Sequence, residues 1–241
     1  MTKPALTVYD GGGYHNADLA KTHSRLLKGN SWKQQRVVVV IPAGDKIPTK
    51  VALALRNLAF PPNQANVWIA AEGYEVGEAY STALGGILAN PELGKWEYLL
   101  CVEHDNCPPP DGVNRLLAQM EAHPEYAAIG GLYFTKGPEG VAQIWGDPRD
   151  PVLNFRPIPP DPNGGLVECN GTGMGFTMFR LQMFRDQKLR RPWFATKDGC
   201  TQDLYAWTDF KKNGYRCAID CSVKVGHFDL EGKFGQPGMM W

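Results

Sequence analysis

The sequence lacks net charge, because its 241 residues include 25 basic and 25 acidic side chains. A balanced chain has no overall field that attracts nucleic acid or an anionic membrane, so only local patches could do so. The sequence also lacks an apolar run near the length of a membrane span, and polar residues and glycines interrupt its first twenty residues, where a signal peptide needs an apolar block. We therefore expect a cytoplasmic protein without stable membrane insertion.

Paired cysteine motifs are missing as well. No CxxC pair of the zinc-ribbon type occurs, and a chain of this length does not need disulfide staples to fold. We expect reduced thiols, with Cys217 and Cys221 either buried on strands or, as the alternative, paired or metal-binding. The six cysteines are Cys101, Cys107, Cys169, Cys200, Cys217 and Cys221. Internal repeats and low-complexity tracts are also absent, so one large domain is our default.

The first clear structural pattern is a strand followed by a helix. Residues 37–41 form a continuous β-branched run that ends at Pro42, Ala43 and Gly44. Such a run is typical of a central parallel strand covered on both faces. Thr49 can then cap a helix, which the two prolines at 61 and 62 end.

Two further strand-helix units follow. Residues 67–71 predict a strand that ends at Glu72, and residues 96–102 predict a third, after which Asp111 can cap a helix. Three such units in succession predict a parallel sheet with right-handed crossovers, and sheets of this kind bind ligands beyond the carboxyl ends of their strands. Pro42, Glu72 and Asp105 all lie at those predicted ends.

The acidic sequence Glu103-His104-Asp105-Asn106 directly follows the third strand. Two carboxylates at the rim of a sheet present hard oxygen ligands, which suit a divalent cation and the diphosphate that it binds. A solvated turn is the alternative interpretation of the same pair.

The regular alternation of predicted strands and helices ends after residue 126. Residues 127–134 and 175–179 predict strands, residues 146–166 form a long proline-rich loop, and a helix starts near residue 201 and ends at Gly214. Residues 217–227 predict a last strand, with Val223, Val225 and His227 on one face. The three alternating glycines at 171, 173 and 175 precede a strand rather than a helix, so they are not a dinucleotide-binding fingerprint.

Taken in order, these motifs resemble the nucleotide-sugar-dependent glycosyltransferases of the GT-A fold, of the family 2 type, over about residues 36 to 228. The resemblance implies an α/β fold with a Rossmann-like, mostly parallel central sheet flanked by helices and a mixed acceptor-side half. It divides the chain into an N-terminal extension (1–35), a GT-A domain (36–228) and a flexible C-terminal tail (229–241). The tail is either disordered or folds over the donor, with Lys233 offsetting phosphate charge.

The resemblance assigns metal ligands and a base. Glu103-His104-Asp105 is similar to the metal-binding Asp-x-Asp motif, and His227 matches the C-terminal metal-binding histidine, so Glu103, Asp105 and His227 would hold Mn²⁺ or Mg²⁺. Asp203 matches the aspartate that takes the proton from the acceptor hydroxyl in inverting enzymes. Simpler roles are a hydrogen-bonded surface histidine for His227 and a helix-terminal carboxylate for Asp203.

The resemblance also assigns substrate contacts. The residues assigned to the donor complex are Pro42, Ala43, Gly44, Glu72, Glu103, His104 and Asp105. The residues assigned to the sugar or acceptor are Asn170, Thr172, Gly173 and Gln202, where a tight turn is the alternative for residues 170–173. Two departures stand out: Gln202 replaces the usual glutamate, and Tyr80 with its neighbours replaces an Arg-Asn pair that contacts the diphosphate in many relatives.

The function that the resemblance implies is a metal-dependent hexosyltransferase. It would transfer a sugar from a nucleoside diphosphate donor, such as a UDP-sugar, to a hydroxyl acceptor with inversion. The acceptor is left open between a glycan and a modified nucleic acid. Two alternatives remain: a nucleotidyltransferase acting on a sugar phosphate, and a non-catalytic carbohydrate- or nucleic-acid-binding module that stacks ligands on its aromatic residues.

Overall fold

The computed structural model describes residues 5–10, 34–44, 46–62, 64–137, 139–197, 199–229 and 238–240. Its strands, in chain order, are β1 (Ala5–Asp10), β2 (Val37–Ala43), β3 (Asn66–Glu72), β4 (Tyr98–Val102), β5 (Asn106–Cys107), β6 (Ala128–Leu132), β7 (Ile144–Trp145), β8 (Leu166–Cys169), β9 (Gly171–Thr172), β10 (Phe176–Arg180), β11 (Cys217–Lys224), β12 (Gly226–Asp229) and β13 (Gly238–Met240). The α-helices are α1 (Thr49–Arg56), α2 (Val76–Ala89), α3 (Gly112–Ala122) and α4 (Gln202–Lys212), and short 3₁₀ helices span Leu93–Lys95 and Leu181–Arg185.

Eight strands of the described residues form one mixed sheet, in the order β1-β3-β2-β4-β10-β6-β11-β8. Strand β2 runs parallel to both of its neighbours, β3 and β4. Strand β10 is antiparallel to β4 and β6, whereas β11 is parallel to β6 and antiparallel to β8. The expected α/β fold with a mostly parallel core is confirmed, and the strands beyond β4 run in mixed directions.

Strand β2 shows why the sheet has a hydrophobic core on each face. All seven of its residues are buried. Val38 and Val40 pack in one cluster, which includes residues of α2 and α4, and Val37, Val39 and Ile41 pack in a second, which includes residues of α1 and α3. Because side chains alternate along a strand, a continuous apolar run is what a strand covered on both faces requires.

Helices α1 and α3 begin at or next to the expected caps. The prediction that Thr49 caps α1 is wrong by one residue, because Pro48 is the N-cap and Thr49 is already helical. The fixed φ of proline, combined with an extended ψ of 142°, holds Pro48 just outside the helix. Asp111 is the N-cap of α3, as expected, although its side chain makes no capping hydrogen bond.

The carboxyl ends of β2, β3 and β4 meet at one edge of the sheet. Ala43 at the end of β2 is in register with Glu72 at the end of β3, and Pro42 is in register with Ala71. The chain leaves β4 at Val102 and enters the acidic turn directly. Parallel strands therefore bring the two expected nucleoside-side segments and the acidic turn to the same edge.

The segment that ends in His227 is not one strand. The prediction of a continuous strand over residues 217–227 is wrong, because β11 ends at Lys224 and β12 begins at Gly226. Strand β12 pairs with β5 instead of the main sheet, with His227 opposite Asn106. The break at Val225 turns the chain away from β6 and carries His227 to the acidic turn.

Both chain ends contribute strands to the described structure. Strand β1, at residues 5–10, pairs antiparallel with β3, and β13 pairs antiparallel with β12. The domain boundaries 1–35, 36–228 and 229–241 remain predictions, and residues 11–33 and Lys233 lie outside the described residues. Among the described residues, no helix combines the length and apolar character needed to cross a membrane.

Two cysteines are neighbours across the edge of the main sheet. Cys217 on β11 is in register with Cys169 on β8, and their sulfur atoms are 3.7 Å apart, within reach of a thiol hydrogen bond, with no disulfide between them. Cys221, the expected alternative partner of Cys217, lies further along the same strand, β11, and is buried as a free thiol.

Candidate functional site

The acidic turn after β4 is held by backbone hydrogen bonds at both of its ends. The amide of Asn106 donates to the carbonyl of Glu103 at 3.1 Å, which closes the turn. The amide of Phe228 on β12 donates to the carbonyl of Asp105 at 2.6 Å. Strand β12 therefore fixes the backbone of Asp105 and places His227 next to it.

Asp105 lies between two basic side chains. Its Oδ2 atom is 2.5 Å from the Lys136 ammonium nitrogen and 3.5 Å from Nε2 of His227. Its other oxygen, Oδ1, is buried and has no hydrogen-bond partner among the described residues. Burial alone would raise the pKa of Asp105, but the hydrogen bonds and charges of His227 and Lys136 outweigh it and hold that pKa well below its usual range.

His227 is oriented by a backbone carbonyl. Its Nδ1 atom lies 2.7 Å from the carbonyl oxygen of Phe134, and a carbonyl can only accept, so Nδ1 carries a hydrogen and donates. Nε2 is then the atom that faces Asp105. The ring of Tyr133 packs edge-on against the imidazole, with centroids 5.5 Å apart. The Phe134 carbonyl therefore fixes the orientation of the ring and leaves Nε2 as the nitrogen that could bind a metal.

Glu103 faces a different neighbour. Its Oε1 atom accepts a hydrogen bond from the side-chain amide of Gln202, at 3.2 Å, which joins the end of β4 to the first turn of α4. Burial, together with the negative charges of Asp105 and Asp203, raises the pKa of Glu103 to about 8, against the opposing effects of Lys136 and Gln202. Its role as a direct metal ligand stays a prediction.

Asp203 lies beside this pair in the first turn of α4. The hydroxyl of Thr201 and the amide of Leu204 both donate to its Oδ1 atom. Asp203 is 8% exposed, and its burial raises its pKa above the ordinary aspartate value despite these hydrogen bonds. A buried carboxylate with a raised pKa and one oxygen fixed by donors suits a general base, which would use the other oxygen to accept a proton.

The residues at the acidic turn fit a divalent cation in part. Asp105 supplies an ionised carboxylate, its buried Oδ1 atom lacks a partner in the described structure, and the Nε2 atom of His227 faces the same carboxylate. Two protein ligands suit a cation whose remaining ligands are substrate phosphates and water. No group of three or more His, Cys, Asp or Glu side chains in the described part of the chain is placed to hold a metal.

The expected donor residues beyond the acidic turn lie at the same sheet edge. Pro42 and Ala43 close β2 and are buried, Gly44 follows them and is exposed, and Glu72 closes β3. His104 is half-buried in the acidic turn. The structure thus places these residues at the same edge of the sheet as Glu103 and Asp105, and their contacts with a nucleoside remain predictions.

The expected acceptor residues make structural contacts. The Asn170 side-chain amide donates to the carbonyls of Asn154 and Asp147, at 3.1 and 3.3 Å, and so holds the proline-rich loop. The indole of Trp207 donates to the Thr172 carbonyl at 2.9 Å, and Thr172 is fully buried. A Cβ atom on Gly173 would collide with the Tyr133 hydroxyl, which gives that glycine a packing role. Substrate contacts by these residues remain predictions.

Sequence reasoning missed Lys136 and Tyr133. Both follow strand β6. The predicted strand over residues 127–134 included Tyr133, and the only sequence signal of Lys136 is its position just beyond the carboxyl end of that predicted strand. The Tyr133 hydroxyl accepts a hydrogen bond from the Gly175 amide at 2.9 Å, next to the acidic turn. Asn106 was also missed: it is fully buried, and its side-chain amide has no partner within the described residues.

Comparison with solved structures identifies the architecture. The crystal structure of A197 from STIV aligns with a TM-score of 0.58 and 19% identity, over 80% of this chain and 86% of that chain. The crystal structure of GalNAc-T7, a glycosyltransferase solved with UDP, GalNAc and Mn²⁺, aligns with a TM-score of 0.58 and 11% identity, over 83% of this chain. The fold is GT-A-like.

These similarities concern the fold. The alignment covers 45% of the GalNAc-T7 chain, so this chain corresponds to less than half of that protein. No protein-family model and no curated protein sequence matches the chain. A GT-A-like fold at this level of identity leaves the chemistry to be argued from the site itself.

Proposed function

We propose that this protein is a metal-dependent glycosyltransferase that transfers a sugar from a nucleoside diphosphate donor, such as a UDP-sugar, to a hydroxyl acceptor with inversion. The observation that carries the proposal is the position of Asp105 in a GT-A-like fold. Its carboxylate lies at the carboxyl edge of the parallel strands, faces the Nε2 atom of His227, and has a buried oxygen with no partner among the described residues.

Asp105 and His227 would hold Mn²⁺ or Mg²⁺. When bound, such a cation neutralises the charge that develops on a departing diphosphate. Asp105 would contribute an anionic oxygen ligand to this site, and the Phe134 carbonyl, which accepts from Nδ1, leaves Nε2 of His227 as the second ligand atom. The nucleoside of the donor would lie at the ends of β2 and β3, along Pro42, Ala43, Gly44 and Glu72.

Asp203 would accept the proton of the acceptor hydroxyl as the hydroxyl oxygen attacks the anomeric carbon. The attack forms the new glycosidic bond while the bond to the diphosphate oxygen breaks, and attack from the opposite face inverts the anomeric configuration. Thr201 and Leu204 hold Oδ1 of this carboxylate. Gln202 ties the start of α4 to Glu103, and so positions Asp203 relative to the acidic turn.

Donor hydrolysis tests the proposal. The protein is incubated with a panel of nucleotide sugars and Mn²⁺ or EDTA, and released nucleoside diphosphate is measured. We expect metal-dependent release, reduced at least about 100-fold in Asp105→Asn. Glu92→Gln is a matched control, because the Glu92 side chain is 70% exposed and pairs with Arg36. Arg36 precedes β2, at the end of the sheet opposite the acidic turn.

The same assay distinguishes the alternatives. Release of pyrophosphate from a nucleoside triphosphate and a sugar phosphate would instead identify a nucleotidyltransferase. Glycan binding without any turnover would identify a binding module. Once an acceptor is found, proton NMR of the first-formed product gives the anomeric configuration, and a retained configuration would remove Asp203 from its role as base.

A further inference from the structure

Lys136 is the one ammonium in direct contact with the acidic turn in the described structure. Its nitrogen lies 2.5 Å from Oδ2 of Asp105, and its side chain is 24% exposed. The Nε2 atom of His227 faces the same oxygen at 3.5 Å. Lys136 therefore contacts the oxygen of Asp105 that also faces His227, where a bound cation would lie.

The ammonium and a divalent cation bound beside His227 would compete for this oxygen. Two positive charges bound to one carboxylate oxygen would repel each other in a partly buried site where water screens them weakly. A cation placed between Asp105 and Nε2 of His227 would bind on the Oδ2 side, so the Lys136 ammonium would have to leave Oδ2. A lysine that is displaced in this way must find another anion or return to solvent.

The backbone around Lys136 allows this movement of the side chain alone. Lys136 lies in a turn closed by a hydrogen bond from the Thr135 amide to the Val141 carbonyl, at 2.8 Å, and by one from the Val141 amide to the Thr135 hydroxyl, at 2.9 Å. These two hydrogen bonds hold the backbone next to Lys136 in place. The four-carbon stem of lysine is flexible, and its ammonium is not bound to one geometry as a guanidinium fork is.

We propose that Lys136 is a donor-binding residue that neutralises Asp105 in the free protein and transfers its ammonium to the diphosphate oxygens when the cation and donor bind. This inference rests on the proposed function, because it requires a diphosphate ligand beside Asp105. The exchange keeps the charge of the site balanced in both states. It also supplies a basic diphosphate contact that Tyr80, buried in the hydrophobic core, does not provide.

Two binding measurements on Lys136→Met test the exchange without relying on turnover. Mn²⁺ binding in the absence of nucleotide is followed by the loss of the free-ion EPR signal, and UDP binding at saturating Mn²⁺ is measured by calorimetry. We expect Mn²⁺ affinity to rise about tenfold and UDP affinity to fall about tenfold, because one competing charge and one phosphate contact are removed. Lys136→Gln, which keeps a donor without the charge, should change both affinities in the same directions.

Lys95→Met is the matched control, because Lys95 is exposed in the 3₁₀ helix before β4 and far from the acidic turn. It should bind Mn²⁺ and UDP as the wild-type protein does, and circular dichroism checks that every variant is folded. Unchanged or weaker Mn²⁺ binding in both Lys136 variants would overturn the exchange. If the wild-type protein binds neither Mn²⁺ nor UDP, the proposed function itself is refuted, so the two failures are distinguishable.

Discussion

At the residue scale, Asp105 and Asp203 are two buried aspartates with opposite electrostatic surroundings. Asp105 meets Lys136 and His227, and its pKa is lowered, whereas burial raises the pKa of Asp203. The first is therefore held as an anion, and the second is closer to the conditions in which a carboxylate exchanges protons. This difference is consistent with the proposed roles of Asp105 in cation binding and of Asp203 as the base.

Replacing Asp203 with Asn should strongly slow sugar transfer without weakening donor binding. We expect kcat to fall about 100-fold to 10⁴-fold, because a positioned proton acceptor contributes about that factor. UDP affinity at saturating Mn²⁺ should stay within about twofold of wild type, since the contacts of Asp203 are with Thr201 and Leu204. Steady-state kinetics and calorimetry measure the two effects, and an unchanged kcat would exclude Asp203 as the base.

The pH dependence of transfer should depend on Thr201. In the wild type, the acid limb of kcat/KM should lie above the ordinary aspartate pKa, because burial raises the pKa of Asp203. The Thr201 hydroxyl opposes that rise by donating to the ionised carboxylate. Thr201→Val removes this donor, so the acid limb should move to higher pH, whereas Thr201→Ser should leave it in place. A limb at the same pH in all three proteins would contradict the assignment.

At the element scale, helix α2 fixes the segment that leads to α4. A Cβ atom on Gly77 would lie 2.7 Å from the Cα atom of Ala195, so the helix and this segment touch through their backbones. The Ser81 hydroxyl donates to the Phe194 carbonyl at 2.8 Å and accepts from the Phe194 amide at 3.0 Å. This contact determines where the chain enters the loop before Thr201 and Asp203.

Gly77→Ala should therefore destabilise the protein. We expect the free energy of unfolding to fall by about 1–3 kcal/mol, because backbone atoms must move to admit the methyl group. Gly85→Ala is the matched control in the same helix, since a Cβ atom there would have no neighbour within 4 Å. That change should raise stability by about 0.5–1 kcal/mol. Urea unfolding measures both, and equal effects would disprove the close backbone contact.

The edge between β8 and β11 carries an ion pair whose effect depends on pH. Arg216 donates two hydrogen bonds to Glu168, at 2.8 and 2.7 Å, and the pKa of Glu168 is lowered mainly by this contact. A carboxylate whose folded-state pKa is depressed stabilises the fold above its unfolded-state pKa, and this stabilisation is lost as the pH falls through the folded-state value.

Glu168→Gln should accordingly lower the free energy of unfolding at pH 7 by less than about 1 kcal/mol, because the pair is partly exposed. The difference from wild type should shrink as the pH falls below 4 and also in 1 M salt. Urea unfolding at several pH values measures it. A difference that is constant from pH 7 to pH 3 would show that packing, rather than charge, accounts for the change.

At the scale of the whole molecule, the proposed cation and donor sites lie between segments that are distant in the sequence. Glu103 and Gln202 are 99 residues apart, and Asp105 and Lys136 are 31 residues apart. A ligand that binds this folded arrangement, and not the unfolded chain, must stabilise the whole fold. Ligand-induced stabilisation is thus a test of the site that does not depend on knowing the acceptor.

Mn²⁺ with UDP should raise the melting temperature of the wild-type protein. At a UDP concentration about 100 times its Kd, the stabilisation is about 2.7 kcal/mol, which for a chain of this size corresponds to roughly 5–10 °C. Differential scanning fluorimetry measures the shift. EDTA or Asp105→Asn should remove it, and Glu92→Gln should keep it. A shift in Asp105→Asn equal to that of wild type would place the ligand elsewhere.

Much of this architecture follows from local sequence. Residues 37–41 specify a strand covered on both faces, because an uninterrupted β-branched run can be satisfied only between two apolar layers. The order of three strand-helix units specifies parallel pairing, because a right-handed crossover returns each strand to the same direction. These two properties were enough to place Pro42, Glu72 and the acidic turn at one edge of the sheet.

Tertiary contacts decided the rest. Strand β10 enters between β4 and β6, β12 leaves the main sheet to pair with β5, and both choices depend on partners far along the chain. The second choice carries His227 to Asp105, and the turn after β6 brings Lys136 to the same carboxylate. Periodicity reports which side of an element is apolar, but it holds no information on which distant element will cover that side. For this reason the strands and their acidic end follow from the sequence alone, whereas the pairing of charges around Asp105 required the folded chain.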